Sequence, residues 1–474
     1  GDIFNMFVWF ELMGVSAYAL AGFKIEELGP LQGAVNFAVT NTIGAYMMLS
    51  GIALLYARTG ALNLAQIGRD LAGHKPDRLV VVAFVLLVAG LMVKAAIVPF
   101  HFWLADAHAA SPAPVCALLS GAMVELGIFF VARVYWTSFS GPFGGHPGAV
   151  KGVLVGLGVA TALLGALMCF LQRHLKRLLA YSTISHSGLM LTGVALLDPR
   201  SLGGAAALIL SHGLLKAGLF LVCGIVLLEL RNIDELRLHA AGRGHRLLAA
   251  LWFAGTLGLV GVPYVGVFLG HELLDQGARG HGYGWLAPVA MVAAGVSAGA
   301  MLRAGARIFL GWGASDDDVL TPEPGESPPA RTVATSPLIV VSAVAIVLGL
   351  VVTLVPGLGP QTELGAQRFV ERGAYSLRVL HDVEQSTRTH SRLSLTPVDE
   401  ASALYGLGAL AVALGVAAFG LWHERLPRAI RSAGAQALGR PTAVLRAAHS
   451  GIIGDYLLWL AAGTLLIGAV CARG

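Results

Sequence analysis

Charged residues are scarce in this sequence. Of its 474 residues, 12% are Asp, Glu, Lys or Arg and 56% are hydrophobic, whereas soluble globular chains carry about 25% charged residues. Apolar stretches recur along the chain at lengths close to the ~20 residues that cross a bilayer as a helix. The composition therefore excludes an ordinary soluble domain and predicts a polytopic membrane protein.

Cysteine is also rare. The sequence has four cysteines, and all lie within apolar runs: Cys116, Cys169, Cys223 and Cys471. None belongs to a CxxC pair, so the sequence indicates neither a zinc site nor an iron–sulfur cluster. No Gly-rich nucleotide-binding loop follows a strand pattern. We therefore expect no metal, no cofactor and, because the net charge of +5 lies largely in loops beside the membrane, no nucleic acid partner.

The sequence begins without Met, directly in the apolar stretch GDIFNMFVWFELMGVSAYALAGF. A signal peptide would show a basic first region and a small-residue cleavage site, and this stretch has neither. We therefore expect further helices to precede this sequence in the complete protein.

Apolar periodicity predicts an all-α bundle of about twelve transmembrane helices. The predicted spans are 2–22, 33–57, 79–110, 113–139, 147–171, 176–197, 201–229, 246–275, 284–311, 335–357, 401–422 and 452–471. The third and the eighth are long and contain Pro99 and Pro263. Because proline removes a backbone hydrogen bond, both spans are predicted to be broken helices, and neighbouring groups or water must satisfy the freed carbonyls.

Composition divides the chain into five parts. They are a core at 1–311, an acidic Pro-rich loop at 312–334, a transmembrane helix at 335–357, an extramembrane segment at 358–400, and a C-terminal pair of transmembrane helices at 401–474 with a basic connecting loop.

Two features of the C-terminal third carry predictions of their own. Helical spacing in 361–385 predicts an amphipathic helix on the membrane surface or against a partner, with one apolar face formed by Leu364, Phe369, Tyr375, Leu377 and Leu380. The basic loop carries five arginines that favour a cytoplasmic position for it, namely Arg425, Arg428, Arg431, Arg440 and Arg446.

Ionisable residues lie inside several predicted spans, although a central intramembrane charge costs about 2.5–3.5 kcal/mol. They are Glu11, Lys94, Glu125, His186, His212, Lys216, His271 and Glu272. Acids, bases and imidazoles on several helices could form a proton relay. The alternatives are hydrogen bonds that serve packing, side chains that reach the interface, especially for His186 and Glu272, and haem ligation by histidines on facing helices.

Five motifs within 1–311 resemble those of a known family. They are FVWFE, VKAAIVPFHFWLADAH, LKRLLAYSTISHSG, HGLLKAGLF and GVPYVGVFLGHELL. In this order they resemble the antiporter-like membrane subunits of respiratory complex I, Mrp-type cation/proton antiporters and membrane-bound hydrogenases. The resemblance implies two inverted five-helix repeats, each with one broken helix, as expected of transporters with ion sites near the midplane.

The resemblance also implies roles for particular residues. Lys94 matches the family's lysine on the first broken helix, and Glu11 matches its glutamate partner. His212 and Lys216, one turn apart on one helix face, match the central motif of the second half. His271 occupies the position on the second broken helix where the family usually has Lys or Glu. Further candidates are His186, Glu272, Asp106 and His108.

Glu125 departs from the family pattern, which places a lysine 31 positions after the first broken-helix lysine. A glutamate reverses the charge of this connecting group but keeps it titratable. We expect Glu125 to point into the polar axis between Lys94 and the His212/Lys216 pair, where it could form a competing ion pair with Lys94. The alternative is a structural pair between Glu125 and Arg133 on the same helix.

These features predict a proton-conducting, antiporter-like subunit of a larger complex, spanning the cell inner membrane several times. Its expected partners are other membrane subunits, the lipid bilayer and protons, with Na⁺ as a further candidate. The stretch DIFNMFVWFE favours an Mrp-type antiporter. The alternatives are a membrane subunit of an NADH:quinone oxidoreductase or hydrogenase, the membrane partner of an inorganic-carbon uptake system, and a scaffold that transports nothing. Any oxidoreductase activity would then belong to partner subunits.

Overall fold

A computed structural model describes most of the chain. The described residues are 1–24, 26–73, 75–145, 147–313, 334–381, 400–425, 427, 432, 439–440, 442–445 and 447–471. Nearly all of the acidic loop predicted at 312–334 lies outside these residues, as do Arg428, Arg431 and Arg446 of the predicted cytoplasmic cluster.

The described residues form helices joined by short connections, with two isolated β-bridges. In chain order the helices are α1 (Ile3–Ala21), α2 (Leu28–Thr59), α3 (Leu64–Asp70), α4 (Arg78–Lys94), α5 (Phe102–Ala110), α6 (Ala113–Phe139), α7 (Pro147–Phe170), α8 (Leu175–Ala195), α9 (Pro199–Leu230), α10 (Arg246–Val260), α11 (Phe268–Gly280), α12 (Leu286–Leu310), α13 (Ser336–Leu354), α14 (Leu358–Val370), α15 (Arg372–Leu380), α16 (Glu400–Trp422) and α17 (Ile453–Cys471).

Nine helices of the described part are long and apolar enough to cross a membrane. They account for nine of the twelve predicted spans. The other three spans correspond to the interrupted pairs α4–α5 and α10–α11, and to α8, whose sequence is rich in Ser, Thr and His. The prediction of an all-α, multi-pass membrane protein is confirmed.

The first broken helix is interrupted between Lys94, where α4 ends, and Phe102, where α5 begins. Pro99 lies within this interruption, as predicted. The backbone groups freed there have partners from side chains: the amide of Val98 donates to Thr161 Oγ1 (3.0 Å), and Trp103 Nε1 donates to the carbonyl of Val93 (2.9 Å). These bonds satisfy polar backbone groups that hydrocarbon could not.

The second broken helix is interrupted between Val260 and Phe268, on either side of Pro263. The amide of Val267 donates to the carbonyl of Gly258 (3.0 Å), which closes the break. Gly266 has a left-handed φ of 60°, and a Cβ there would collide with the Gly258 carbonyl. Glycine is therefore required at this position to let the chain turn back on its own helix.

The two breaks occupy matching places in the order of the helices. The first break falls in the helix that precedes α6, and the second falls in the helix that precedes α12, with α6 to α9 between the two breaks. This order agrees with two consecutive repeats, each with its break in the helix before its last one. The two-fold axis that would relate the repeats remains a prediction.

The surface segment differs from its prediction. Residues 361–380 belong to two helices, α14 and α15, that separate at Glu371, and not to one continuous helix. The predicted inward face is wrong for Leu364, which is 36% exposed, whereas Glu363 is buried. Glu363 forms an ion pair with Arg200 of α9 at 3.2 Å, so an ion pair, and not the leucine spacing, sets the face that packs inward.

Arg133 connects this surface segment to the core. Its guanidinium lies 4.4 Å from the ring centroid of Phe369 and 4.7 Å from that of Tyr375. Such cation–π contacts are favourable and orient the guanidinium over the rings. Arg133 therefore holds α14 and α15 against α6, and the alternative in which it pairs with Glu125 is wrong.

A buried ion cluster fixes the loop after α9 to the end of α12. The carboxylate of Glu235, with its side chain 1% exposed, lies 3.0 Å from Arg303 and 2.6 Å from Arg307. Arg307 also donates to the carbonyl of Gly420 in α16 (3.0 Å). One carboxylate thus compensates two buried guanidinium groups and connects three parts of the bundle.

We expect Glu235→Gln to destabilise the protein by about 3–5 kcal/mol, because removing one partner of a buried pair leaves the other charge uncompensated. The measurement is the midpoint of thermal unfolding in detergent. Glu371→Gln is the matched control, since Glu371 is exposed, and it should leave the midpoint unchanged. A Glu235→Gln midpoint equal to that of the control would contradict a stabilising role for the cluster.

Candidate functional site

Glu11 and Lys94 form an ion pair at the first break. The Lys94 Nζ donates to Glu11 Oε1 across 3.1 Å; the lysine side chain is fully buried and the glutamate side chain is 26% exposed. A buried ammonium without a partner would cost several kcal/mol. The predicted proximity of the two groups is confirmed, and their role in proton transfer remains a prediction.

Glu125 of α6 contacts His212 of α9. The Oε1 of Glu125 lies 2.7 Å from His212 Nδ1, and both residues are buried. Small residues permit this approach, since a Cβ on Gly121 would lie 2.8 Å from the carbonyl oxygen of Gly213. The competing ion pair with Lys94, which the sequence allowed, is not formed: the hydrogen-bond partner of Glu125 is the imidazole of the second half.

His186 of α8 continues this contact toward the second break. Its ring centroid is 4.9 Å from that of His212. Its Nδ1 lies 2.8 Å from the carbonyl oxygen of Ser182, and its Nε2 lies 3.3 Å from the carbonyl oxygen of Leu259. A neutral ring donates to one of these oxygens and a protonated ring donates to both, so His186 has a hydrogen-bonding environment suited to either state.

The packing of His186 against His212 also bears on the haem alternative. Their rings are in direct contact and leave no space for a porphyrin between them. Within the described ranges, no group of three or more His, Cys, Asp or Glu side chains is arranged to hold a metal ion.

Lys216 lies one turn beyond His212 on α9 and is fully buried. Its Nζ donates to the carbonyl of Leu179 in α8 (3.0 Å). A hydroxyl pair, Ser120 and Thr183, lies between α6 and α8 with its oxygens 2.7 Å apart. The α6–α8–α9 interface therefore carries several polar groups at the centre of the bundle.

His271 lies at the start of α11, directly beyond the second break. It lines a small cavity of about 40 Å³ with Glu272, Asp275 and Ser402. Among the residues that the structure describes, no group lies within hydrogen-bonding distance of its Nε2. A cavity of this size holds one or two water molecules, which could connect His271 to the two carboxylates.

The two remaining candidates lie apart from each other. His108 stacks on Phe220 with ring centroids 4.5 Å apart. Asp106 lines a separate cavity of about 290 Å³, where its Oδ2 accepts a hydrogen bond from the Tyr456 hydroxyl at 2.7 Å. The predicted candidates did not include Asp275, Ser402 or Tyr456, because spacing along one helix says nothing about side chains that other helices bring to it.

The arrangement has a clear order. Glu11 and Lys94 lie at the first break, and Glu125, His212 and His186 lie between the breaks. His186 contacts the Leu259 carbonyl near the end of α10, and His271 lies beyond the second break. Intervals longer than a hydrogen bond need water between the groups. Carboxylates, amines and imidazoles in this order can accept and release protons in turn.

Two broken helices with buried ionisable groups at and between their breaks define an antiporter-like membrane subunit. The family model described as "NADH:quinone oxidoreductase/Mrp antiporter, TM" matches residues 1–297. The chain belongs to this family.

Individual relatives come from different complexes. NADH-quinone oxidoreductase subunit N of Desulforudis audaxviator (strain MP104C) is 33% identical over 267 residues, 56% of this chain and 52% of the relative. A Na(+)/H(+) antiporter subunit of Bacillus subtilis (strain 168) is 27% identical over 286 residues, 60% of this chain and 56% of the relative. The chain thus spans little more than half the length of these curated relatives.

A solved structure is similar over more of the chain. A chain in the structure of the Mrp complex from Dietzia sp. DQ12-45-1b superposes with a TM-score of 0.66 at 27% identity, covering 80% of this chain and 76% of that chain. The antiporter-like helical fold that the five motifs indicated is therefore confirmed.

Proposed function

We propose that this chain moves protons across the cell inner membrane as one subunit of a multi-subunit complex. The observation that carries the proposal is the series of buried ionisable groups that extends from the Glu11–Lys94 pair through Glu125, His212 and His186 to the second break. Buried charges are costly in a membrane, and such a series is a functional feature by default. Conduction proceeds by protonation of each group in turn, with water in the longer intervals.

Exposed apolar surface supports the presence of partner subunits. One face of α1 exposes Trp9 by 69%, Leu12 by 57% and Val15 by 61%. Lipid or another membrane subunit would cover such a face, and the solved relative belongs to an Mrp complex. We propose that other membrane subunits pack beside α1, close to the Glu11–Lys94 pair.

Two kinds of complex remain candidates. The sequence stretch DIFNMFVWFE favours an Mrp-type antiporter, whereas identity is higher to the oxidoreductase relative (33%) than to the antiporter relative (27%). In an antiporter, proton movement is coupled to a cation. In an oxidoreductase it is coupled to electron transfer in partner subunits.

The decisive experiment is to purify the intact complex through a tag on this chain and to reconstitute it into proteoliposomes. Proton flux is recorded with a pH-sensitive dye, with a Na⁺ gradient and with K⁺ in its place, and then with electron donor and quinone. Proton movement in response to Na⁺ supports an antiporter, and movement on electron transfer supports an oxidoreductase. Wild-type complex that moves no protons under any of these conditions would overturn the proposal.

A further inference from the structure

A cavity outside the series of buried groups lies against the first broken helix. It has a volume of about 290 Å³, and the residues that line it include Asp106 of α5, Arg177 of α8 and Asn36 of α2. The C-terminal segment, residues 447–471, contributes His449 and Gly451 to the wall. We call this space the vestibule. Its polar lining and its size suit a group of water molecules.

The C-terminal segment is anchored to the vestibule on both sides of the Asp106 carboxylate. The Tyr456 hydroxyl donates to Asp106 Oδ2 (2.7 Å), and Asn36 Nδ2 donates to the carbonyl of Gly451 (2.9 Å). Arg177 Nη2 donates to Asp106 Oδ1 (3.4 Å). A chain segment that begins more than 300 positions after the first broken helix is thereby held beside it.

This segment brings one imidazole into contact with another. His449 Nε2 lies 3.0 Å from Nε2 of His101, a buried residue that directly precedes α5 at the first break. His449 Nδ1 lies 2.7 Å from the carbonyl oxygen of Leu445. Since a carbonyl oxygen only accepts, His449 Nδ1 carries a proton and donates it.

The protonation of both rings follows from these contacts. Burial lowers the pKa of the His449 imidazole, although the Leu445 carbonyl and the Asp106 carboxylate act in the opposite direction, so the resting ring is neutral. A neutral ring with its proton on Nδ1 has a bare Nε2, which must accept from Nε2–H of His101. In a neutral His101 ring Nδ1 is then bare, and it has no hydrogen-bond partner in the described part of the chain.

We propose that His449 is the outer proton carrier of the first broken helix and that it exchanges protons between His101 and the vestibule. This inference rests on the proposed function. A proton that binds His101 Nδ1 makes that ring cationic, and the Nε2 proton then moves to Nε2 of His449. His449 now carries two protons, and when its ring turns away from His101 the Nε2 proton passes to vestibule water beside Asp106. His101 keeps its proton on Nδ1; its ring turns so that the bare Nε2 accepts the next proton, and turns back to deliver that proton to His449. One proton enters and one leaves, and each step is reversible.

Several groups favour a transient positive charge at His449. The Asp106 carboxylate acts on it electrostatically, and the aromatic rings of Phe102 and Tyr181 lie 4.7 Å and 5.8 Å from its ring centroid. Arg177 opposes that charge but is itself paired with Asp106. Phe102 also stacks on Tyr456, so the ring positions depend on the C-terminal segment as a unit.

The test uses His449→Ala and His449→Gln in the intact complex in proteoliposomes, with His423→Gln as the matched control because His423 is an exposed histidine of the same C-terminal region. We expect both His449 variants to lower proton flux about fivefold or more, and the control to keep wild-type flux. Added imidazole should restore flux in the alanine variant, since it can occupy the space left by the ring and carry a proton. Pyrazole, which is similar in shape but far less basic, should not.

The outcomes separate this inference from the proposed function. If wild-type complex moves protons and assembled His449→Gln complex moves them equally fast, His449 is not a carrier. Two further outcomes would show that His449 serves only packing and would overturn the inference. In one, imidazole does not restore the lost flux; in the other, imidazole and pyrazole restore it equally. If wild-type complex moves no protons, the proposed function fails first.

Discussion

Replacing Lys94 by Met should reduce proton flux at least tenfold, to the level of liposomes without active complex. Met retains much of the volume and flexibility of the side chain but has no ammonium. Because Lys94 is fully buried at the first break and its hydrogen-bond partner is Glu11, its loss removes the buried amine from this break. The measurement is dye-reported flux in proteoliposomes that contain equal amounts of assembled complex.

The Lys94→Met variant should be nearly as stable as the wild type, so a loss of flux would not reflect unfolding. Glu11 is 26% exposed, so water or a partner can solvate its carboxylate once the lysine is gone. Glu11→Gln, in contrast, leaves a fully buried ammonium uncompensated and should cost about 3–5 kcal/mol. The double variant Glu11→Gln/Lys94→Met should regain stability without regaining flux, which separates the transport role from the structural one.

Lys151→Met is the matched control for this series. Lys151 lies near the start of α7, with its ammonium 5.0 Å from the ring centroid of Tyr283, away from both breaks. Its loss should leave flux unchanged. Wild-type flux in well-assembled Lys94→Met complex would exclude Lys94 from the conduction path and would favour a scaffold role for the chain.

Local sequence features predicted the spans and both breaks, because hydrophobicity and proline act through the nearest residues. Val98 and Val267 show what else a break requires: a hydroxyl from α7 and a carbonyl from the preceding helix satisfy their amides. Neither partner can be identified from spacing alone. The Glu11–Lys94 pair was predicted because the resemblance supplied a partner that periodicity could not.

Contacts across helices were harder to predict. The sequence did not identify His212 as the partner of Glu125. Gly121 and Gly213 bring α6 and α9 into close contact, and this contact places the carboxylate beside His212. The contact between His101 and His449 joins residues 348 positions apart, and no sequence pattern in either segment predicts it. Leu364 has helical spacing suited to an inward face, yet the Glu363–Arg200 ion pair turns α14 the other way.

Glu125→Gln should slow proton flux at least tenfold while leaving the assembled complex intact. The amide oxygen of Gln can still accept a hydrogen bond from His212 Nδ1, so the contact at 2.7 Å keeps its shape. What disappears is the negative charge that offsets a proton on His212. At an effective dielectric of about 20, a unit charge about 4 Å away is worth roughly 4 kcal/mol, which sets an upper limit near a thousandfold on the rate effect.

The matched variant is Glu125→Asp, which keeps the charge but shortens the side chain by one methylene. If the carboxylate acts by offsetting the charge on His212, the aspartate variant should retain much more flux than the glutamine variant, although both alter one side chain in the same tightly packed interface. If Glu125 serves only packing between α6 and α9, Glu125→Gln should reduce flux less than Glu125→Asp, because Gln is closer to Glu in shape. Which of the two variants retains more flux therefore distinguishes a role of charge from a role of shape. Equal flux in Glu125→Gln and wild-type complex would remove Glu125 from the proton path.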